Sequence, residues 1–203
     1  MSELQKINKA KQLLVEGDDA DCFFSALLKN LNINDIQIQN YGGNDELKGF
    51  LKQFRIAPGF LDKVECIGII RDAEKNPKAA FQSISGFLKT ANLPVPKKPS
   101  EITDTQPRVS VYILPDAKTK GMIETICISS VKEDPAMECV NTYIKCLKDK
   151  LNAPPKNLEK ARLQAFLASR KKVPRKLGLA AKQNVWPWDS PVFENVKNFL
   201  NSL

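Results

Sequence analysis

Two short clusters of acidic residues are the parts of this chain whose types and spacing could do chemistry. The first begins at Glu16, directly after the apolar run Leu13–Val15, and the second is Asp72-Ala73-Glu74, close after Ile67–Ile70. Carboxylates that share one site repel each other unless a cation lies among them, and oxygen atoms are the ligands that Mg²⁺ prefers. If the fold brings the clusters together, they predict a site for a divalent cation.

A simpler interpretation of the same acids stays open. Asp18, Asp19 and Asp21 follow Glu16 where a helix is expected to begin, and carboxylates there can accept the free backbone N–H groups. Of these three, Asp19 is the one expected to face a cleft. The second cluster could equally be a solvated turn. The two interpretations differ in whether the strands before the clusters end at one edge.

Four segments are expected to form the strands that position these acids. Gln12–Val15, Val64–Ile70 and Val109–Leu114 are mainly apolar, and Ile36–Tyr41 alternates between apolar and polar residues; helical spacing separates the first three strands along the chain. A strand and helix order of βαβαβα predicts a parallel, doubly wound sheet. Ligands bind at the carboxyl edge of such sheets, which is where both acidic clusters would then lie.

The second half of the chain has mainly helical spacing. Helices are expected after Pro135, over 158–169 and around Phe193, whereas Gly121–Val131 fits a strand or a helix by pattern alone. Trp186 and Trp188 could stack on bases or pack the last helix against the body. We therefore expect an α/β core over residues 1–132 and a helical C-terminal extension over 133–203, packed together as one unit.

Composition excludes several classes of enzyme. The chain has no histidine, so serine and cysteine hydrolases with a histidine base are excluded. The GxGxxG fingerprint is absent, so a dinucleotide-binding oxidoreductase is not expected. A phosphoacceptor domain of the receiver type stays a minor alternative, because it also gathers acids at the ends of parallel strands.

The balance of charge favours an acidic partner. Lysine and arginine number 31 against 23 acidic residues, a formal net charge of +8, and nucleic acid is the obvious partner for such an excess. Clustered cations bind phosphates with release of counterions, although such a run is often only a solvated surface. The candidates for contact with nucleic acid are Arg71, Lys75, Arg170, Lys171, Lys172, Arg175 and Lys176.

Cysteine usage and hydropathy predict a cytoplasmic protein. The five cysteines are odd in number and form no close pair, which argues against a disulfide framework, and we expect buried, reduced thiols. No apolar run reaches the about 18 residues of a membrane span. Residues 1–6 lack the apolar core of a signal peptide.

The two acidic clusters together resemble the Toprim domain, which primases, topoisomerases, recombination proteins and the overcoming-lysogenization-defect (OLD) nucleases share. Its pattern is a glutamate, usually followed by glycine, after the first strand and an Asp-x-Asp after a later strand. Glu16-Gly17 matches the first element, and Asp72-Ala73-Glu74 matches the second with Glu in the last position. The resemblance implies a Toprim-like, Rossmann-like α/β fold. It also implies Glu16 as general acid/base or metal ligand, with Asp72 and Glu74 holding Mg²⁺ or Mn²⁺.

A closer resemblance, over nearly the whole chain, is to a family of small, stand-alone Toprim-related proteins of uncharacterised function. The matching segments are Pro115-Asp116, Gly121-Met122-Ile123-Glu124 and Trp186–Pro191. This resemblance implies that the segment 121–131 is a helix. It also makes Glu124 a further candidate metal ligand.

Two functions follow as hypotheses. The first is an Mg²⁺-dependent phosphoryl-transfer protein, most simply a nuclease acting on nucleic acid. The second is a non-catalytic module that binds nucleic acid or a partner protein. Some Toprim-related proteins act beside a separate ATPase in phage defence, and this chain has no GxxxxGK[ST] phosphate loop of its own. An ATPase partner is therefore what the resemblance implies for the second hypothesis.

Overall fold

A parallel sheet lies at the centre of the fold. In the computed structural model, which describes residues 4–203 apart from the side chain of Asn44, the sheet has four strands in the order β2-β1-β3-β4. They are β1 Lys11–Val15, β2 Ile36–Asn40, β3 Cys66–Asp72 and β4 Arg108–Leu114. Every neighbouring pair is parallel. The predicted α/β fold with a parallel sheet is confirmed.

Helices cover both faces of this sheet. The described chain contains nine α-helices: α1 Gly17–Asn30, α2 Leu47–Arg55, α3 Phe60–Lys63, α4 Pro77–Thr90, α5 Ile123–Ser130, α6 Ala136–Lys150, α7 Leu158–Ala168, α8 Leu177–Lys182 and α9 Glu194–Ser202. Short 3₁₀ turns at Asn44–Glu46 and Pro191–Phe193 lead into α2 and α9. The resemblance implied a helix over 121–131, and α5 confirms it.

The central strands are apolar on both sides because helices bury both faces. Successive side chains of a strand point to opposite faces, so Leu13 packs with α1 and the C-terminal helices, whereas Leu14 packs with α2, α3 and α4. On β3, Ile69 and Ile70 divide in the same way. This alternation also decides on which face Arg71 and Asp72 lie.

The order of the strands places the ends of β1 and β3 side by side. β1 pairs with β2 on one side and with β3 on the other, with Leu14 opposite Ile69. The connection through α1 runs outward to β2, and the connection through α4 runs in the opposite direction to β4. Such a reversal opens a crevice at the carboxyl ends of the strands. Glu16 and Asp72 stand at its two sides.

The C-terminal helices share one hydrophobic core with the sheet. Trp186 is 1% exposed, and its Nε1 donates to the carbonyl oxygen of Leu177 at 3.4 Å. Trp188 packs edge-on against Phe23 of α1, with ring centroids 5.3 Å apart. Both tryptophans therefore pack the fold, and neither is placed to stack on a base. The boundary between residues 132 and 133 stays a prediction.

Some expectations from the sequence were wrong. Two of the five cysteines, Cys139 and Cys146, are exposed, because they lie on the outer side of α6, whose buried side is formed by Met137, Val140 and Ile144. The short helices α3 and α8 were not expected. Residues 1–3, on which the expectation about a signal peptide partly rests, lie outside the described residues. Within residues 4–203, no helix combines the length and the apolar character that crossing a membrane requires.

Candidate metal centre

A cavity of about 150 Å³ opens at the carboxyl edge of the sheet, between the ends of β1 and β3. Four carboxylates line it, from Glu16, Asp19, Asp72 and Glu124, and Lys160 of α7 is the cation in its wall. The apolar part of the wall is Ala20, Ile70, Leu114 and Ile123. Three of the predicted metal ligands are therefore brought together: Glu16 directly after β1, Asp72 on β3 and Glu124 on α5.

The turn after β1 carries Glu16 to the cavity. Glu16 is the last extended residue before α1, and Gly17 follows it with φ of 76°, a left-handed conformation that glycine adopts at little cost. The backbone N–H of Gly17 donates to Oδ1 of Asn40 at the end of β2, at 3.0 Å. The position of Glu16 thus depends on a neighbouring strand as well as on its own.

Asp18 and Asp19 were candidates to cap α1, but both carboxylates make other contacts, and the N-cap residue Glu16 makes no side-chain capping hydrogen bond. Asp18 accepts from Nδ2 of Asn40 at 2.9 Å. Asp19 lines the cavity and accepts the backbone N–H of Gly178 in α8 at 3.1 Å. Both carboxylates, of Asp18 and Asp19, are therefore used in contacts with distant parts of the chain rather than as helix caps.

Asp72 is the most strongly perturbed of the cavity acids. Burial, followed by the nearby charges of Glu124 and Glu16, raises the pKa of Asp72 to about 8. The backbone N–H of Ile123 donates to its Oδ1 at 3.0 Å and opposes this rise. Desolvation and like charges both disfavour the ionised carboxyl, so without a cation the cavity favours the protonated form of Asp72.

Glu124 has a buried oxygen with no hydrogen bond. Its side chain is 12% exposed, and Oε1 lies 3.8 Å from Nζ of Lys160. Oε2 is buried and has no hydrogen-bond partner among the described residues. Burial is the main cause that raises the pKa of this carboxyl. A buried acceptor without a partner is costly, and a bound cation would satisfy it.

The donor set fits a hard divalent cation by its chemistry, since carboxylate oxygens are the ligands that Mg²⁺ and Mn²⁺ take. Among residues 4–203, however, no three acidic or cysteine side chains are gathered closely enough to form a metal-binding group. The carboxylates surround a common space and do not yet converge on one point. Glu16, Asp72 and Glu124 are the residues that would hold the cation.

Glu74 lies outside this cavity. Its backbone has φ of 52°, and its side chain is exposed. The backbone of Glu74 pairs with Gly121 in both directions, at 2.8 and 2.9 Å. The left-handed residue turns the chain away after β3, which removes the side chain from the space between Asp72 and Glu124. Its role as a ligand stays a prediction.

Two of the predicted phosphate-binding arginines are engaged elsewhere. Arg71 precedes Asp72 on β3 and therefore points to the other face, where its Nη1 donates to Oγ of Ser83 at 3.2 Å. Arg170 forms a bidentate ion pair with Asp134, at 2.7 and 3.1 Å, and lies over the ring of Phe166. Lys75 is exposed in the turn after β3.

The linker between α7 and α8, residues 170–176, carries the remaining predicted cations. They are exposed: Lys171, Lys172, Arg175 and Lys176. Pro174 is buried between them. The C-terminal end of the linker comes near the cavity, since Gly178, two residues after Lys176, donates its N–H to Asp19. Lys160 lies at the opposite end of α7 from the linker.

Lys160 and Asn40 were missed by reasoning from sequence. Lys160 is far from both acidic clusters along the chain and resembles any lysine on a solvated helix. Asn40 did leave a signal, because it ends an alternating strand and precedes Gly42-Gly43, and a polar residue at that strand end faces the same edge of the sheet as Glu16.

Comparison with known proteins identifies a family and a fold. The model of the family described as "Protein of unknown function (DUF3226)" matches residues 10–203. No match is found among curated proteins. The C-terminal region of the OLD protein of Xanthomonas campestris pv. campestris is similar over 96% of each chain, with 14% identity and a TM-score of 0.52. A hypothetical protein of Pyrococcus horikoshii OT3 is similar over 96% of this chain and 95% of its own, with 14% identity and a TM-score of 0.50.

Proposed function

This chain belongs to the DUF3226 family, and we propose that it is a Toprim-type protein that binds Mg²⁺ and transfers phosphoryl groups, most simply a nuclease acting on nucleic acid. One observation carries the proposal. The carboxylates of Glu16, Asp72 and Glu124, which come from separate parts of the chain, line one cavity, and one of their buried oxygens has no hydrogen-bond partner within residues 4–203. A divalent cation is the ligand that relieves both the repulsion and the missing contact.

The residues around the cavity have distinct roles in this proposal. Asp72 and Glu124 would hold Mg²⁺, which would supply polarisation of a phosphodiester and stabilisation of the charge on its oxygens. Glu16 accepts the proton of the attacking water, or else joins Asp72 and Glu124 in holding the cation. Lys160 lies in the wall with a side chain 62% exposed. Its ammonium can leave Glu124 and pair with a phosphate oxygen as substrate enters.

Charge and fold support nucleic acid as the substrate. The net charge of +8 favours an anionic substrate, and the exposed cations of the linker would provide contacts to phosphates. The likeness to the C-terminal region of an OLD protein agrees with the sequence resemblance to the family that includes the OLD nucleases. Binding through such contacts weakens steeply with salt.

A second candidate function has its own support. Glu74 is exposed outside the cavity, and the described residues contain no ready group of three metal ligands. Both observations favour a non-catalytic module that binds nucleic acid or a partner protein, and a separate ATPase is the partner that the sequence resemblance implies. In that case the cavity binds a cation without cleaving a phosphodiester.

Metal binding and cleavage, measured on the same proteins, separate these candidates. Mn²⁺ binding is measured by calorimetry, and cleavage of plasmid DNA and of single-stranded RNA is measured with Mg²⁺ and with Mn²⁺. The variants are Glu16→Gln and Asp72→Asn, which retain the shape of the side chain. Asp72→Asn also keeps an oxygen that accepts the N–H of Ile123. Glu133→Gln is the control, because the side chain of Glu133 is 89% exposed.

We expect the wild-type protein and Glu133→Gln to bind Mn²⁺ and to cut one of the substrates, and both other variants to lose binding and cleavage. Mn²⁺ binding without cleavage, lost in the same two variants, supports the non-catalytic module. Cleavage that persists in both Glu16→Gln and Asp72→Asn contradicts the proposed site.

A further inference from the structure

Asn40 connects the turn after Glu16 to the neighbouring strand. Its Oδ1 accepts the N–H of Gly17 at 3.0 Å and that of Gly42 at 2.9 Å, and its Nδ2 donates to Asp18 at 2.9 Å. The Gly17 N–H belongs to the peptide group that directly follows Glu16. One amide side chain thus fixes that peptide group and the loop after β2 relative to each other.

Tyr41 makes a second connection, on the other side of β1. Its backbone N–H donates to the carbonyl oxygen of Val15 at 3.0 Å, and its hydroxyl donates to the carbonyl oxygen of Ile70 at 3.1 Å. The side chain therefore begins directly after β2, crosses one face of β1 and reaches β3 two residues before Asp72. It is 1% exposed, and burial, with the charge of Glu16, raises the pKa of its hydroxyl well above the ordinary value. The hydroxyl keeps its proton and remains a donor.

We propose that Asn40 and Tyr41 are positioning residues, which together set the separation of Glu16 and Asp72 across the cavity. This inference rests on the proposed function, because the separation matters only if both carboxylates act on one bound cation. Neither residue lines the cavity. Asn40 fixes the peptide group after Glu16, and Tyr41 holds strand β3, which carries Asp72.

The physical reason is that carboxylates which repel each other must be held in place by contacts from residues outside the cavity. Glu16, Asp72 and Glu124 line one cavity, and carboxylates that share a site repel each other unless a cation lies among them. Hydrogen bonds from β2 to the backbone on both sides oppose this repulsion. Residues that hold metal ligands in place in this way typically change metal affinity by about 10-fold to 100-fold when they are replaced.

Mn²⁺ alone is the probe that tests the inference. Its affinity is measured by calorimetry for the wild-type protein, Asn40→Ala and Tyr41→Phe, at a temperature where circular dichroism shows each to be folded. Gln37→Ala is the matched control. Gln37 lies at the other end of the same strand, and its side-chain oxygen accepts the N–H groups of Asn8 at 2.8 Å and of Lys9 at 3.2 Å, away from the cavity.

We expect Asn40→Ala and Tyr41→Phe each to weaken Mn²⁺ binding by about 10-fold or more, and Gln37→Ala to bind Mn²⁺ like the wild-type protein. If Asn40→Ala does not fold, Tyr41→Phe decides, since it removes only one oxygen atom. Wild-type affinity in the folded variants overturns the positioning role and leaves the proposed function intact. A wild-type protein that binds no Mn²⁺ and cleaves no nucleic acid overturns the proposed function, and this inference with it.

Discussion

Replacing Asp72 by asparagine tests how strongly the cavity disfavours a negative charge on the carboxyl of Asp72. The pKa of this carboxyl is about 8 in the folded protein, against an ordinary value of 3.8. Between these values the unfolded chain has lost the proton and the folded protein has kept it, so folding becomes less favourable as the pH rises. Each pH unit costs about 1.4 kcal/mol of the free energy of unfolding.

The substitution removes this dependence because asparagine does not ionise. From pH 5 to pH 7 the metal-free wild-type protein is expected to lose about 3 kcal/mol relative to Asp72→Asn. The raised pKa of Glu124 acts in the same direction in both proteins and cancels in the comparison. The amide oxygen still accepts the N–H of Ile123, so the start of α5 is preserved.

Urea unfolding in the presence of EDTA measures this difference, and the fluorescence of the buried Trp186 and Trp188 reports on folding. The curves are compared at pH 5, 6, 7 and 8, with Glu133→Gln as a control that removes an exposed charge. Saturating Mn²⁺ should stabilise the wild-type protein, by about 2.7 kcal/mol at a concentration 100 times Kd, and should not stabilise Asp72→Asn. If the wild-type protein and Asp72→Asn lose the same stability as the pH rises, burial and the neighbouring carboxylates do not raise the pKa of Asp72 in the folded protein.

Two further predictions concern the parts that hold the site. Gly178→Ala is expected to destabilise the protein by about 1 to 3 kcal/mol, because its Cβ would lie 2.5 Å from that of Cys22; thermal unfolding measures the loss. Arg170→Ala is expected to lower stability by about 1 to 2 kcal/mol, through loss of the ion pair with Asp134 and of the contact with Phe166, and urea unfolding at low and high salt measures it.

Each of these predictions has a matched control in the chain. Gly86 lies in the middle of α4, is exposed, and has open space where a Cβ would be, so Gly86→Ala should stabilise the protein by about 0.5 to 1 kcal/mol. Lys171→Ala removes an exposed cation beside Arg170 and should leave stability unchanged. Equal effects of the two glycine substitutions, or of the two cation substitutions, would contradict the packing described for α8 and for Arg170.

The sheet and the first two acids of the site could be predicted because their signals are local. An apolar run that ends in acids marks a strand end, and the order of strands and helices brings parallel strand ends to one edge. Alternation along β3 also separates Arg71 from Asp72, although the sequence suggested that both serve the same site. Applying the period of two to the last residues of the strand would have placed Arg71 on the other face.

Other parts of the site depend on contacts that no local pattern records. Lys160 comes to Glu124 only through the packing of α7 on α5, and Gly178 comes to Asp19 only through the packing of α8 on α1. Helix α8 has six residues and follows a basic run, so its spacing is too short to be recognised. The place of Glu74 outside the cavity depends on a left-handed turn at its own position, which cannot be read from the sequence.

The reciprocal backbone pair of Glu74 and Gly121 separates the site from the loop that precedes α5. The pair closes the base of residues 116–120, where Asp116 organises a turn by accepting the N–H groups of Lys118 and Thr119. Insertions or deletions within 116–120 would therefore change the outer surface and leave Asp72 and Glu124 in register.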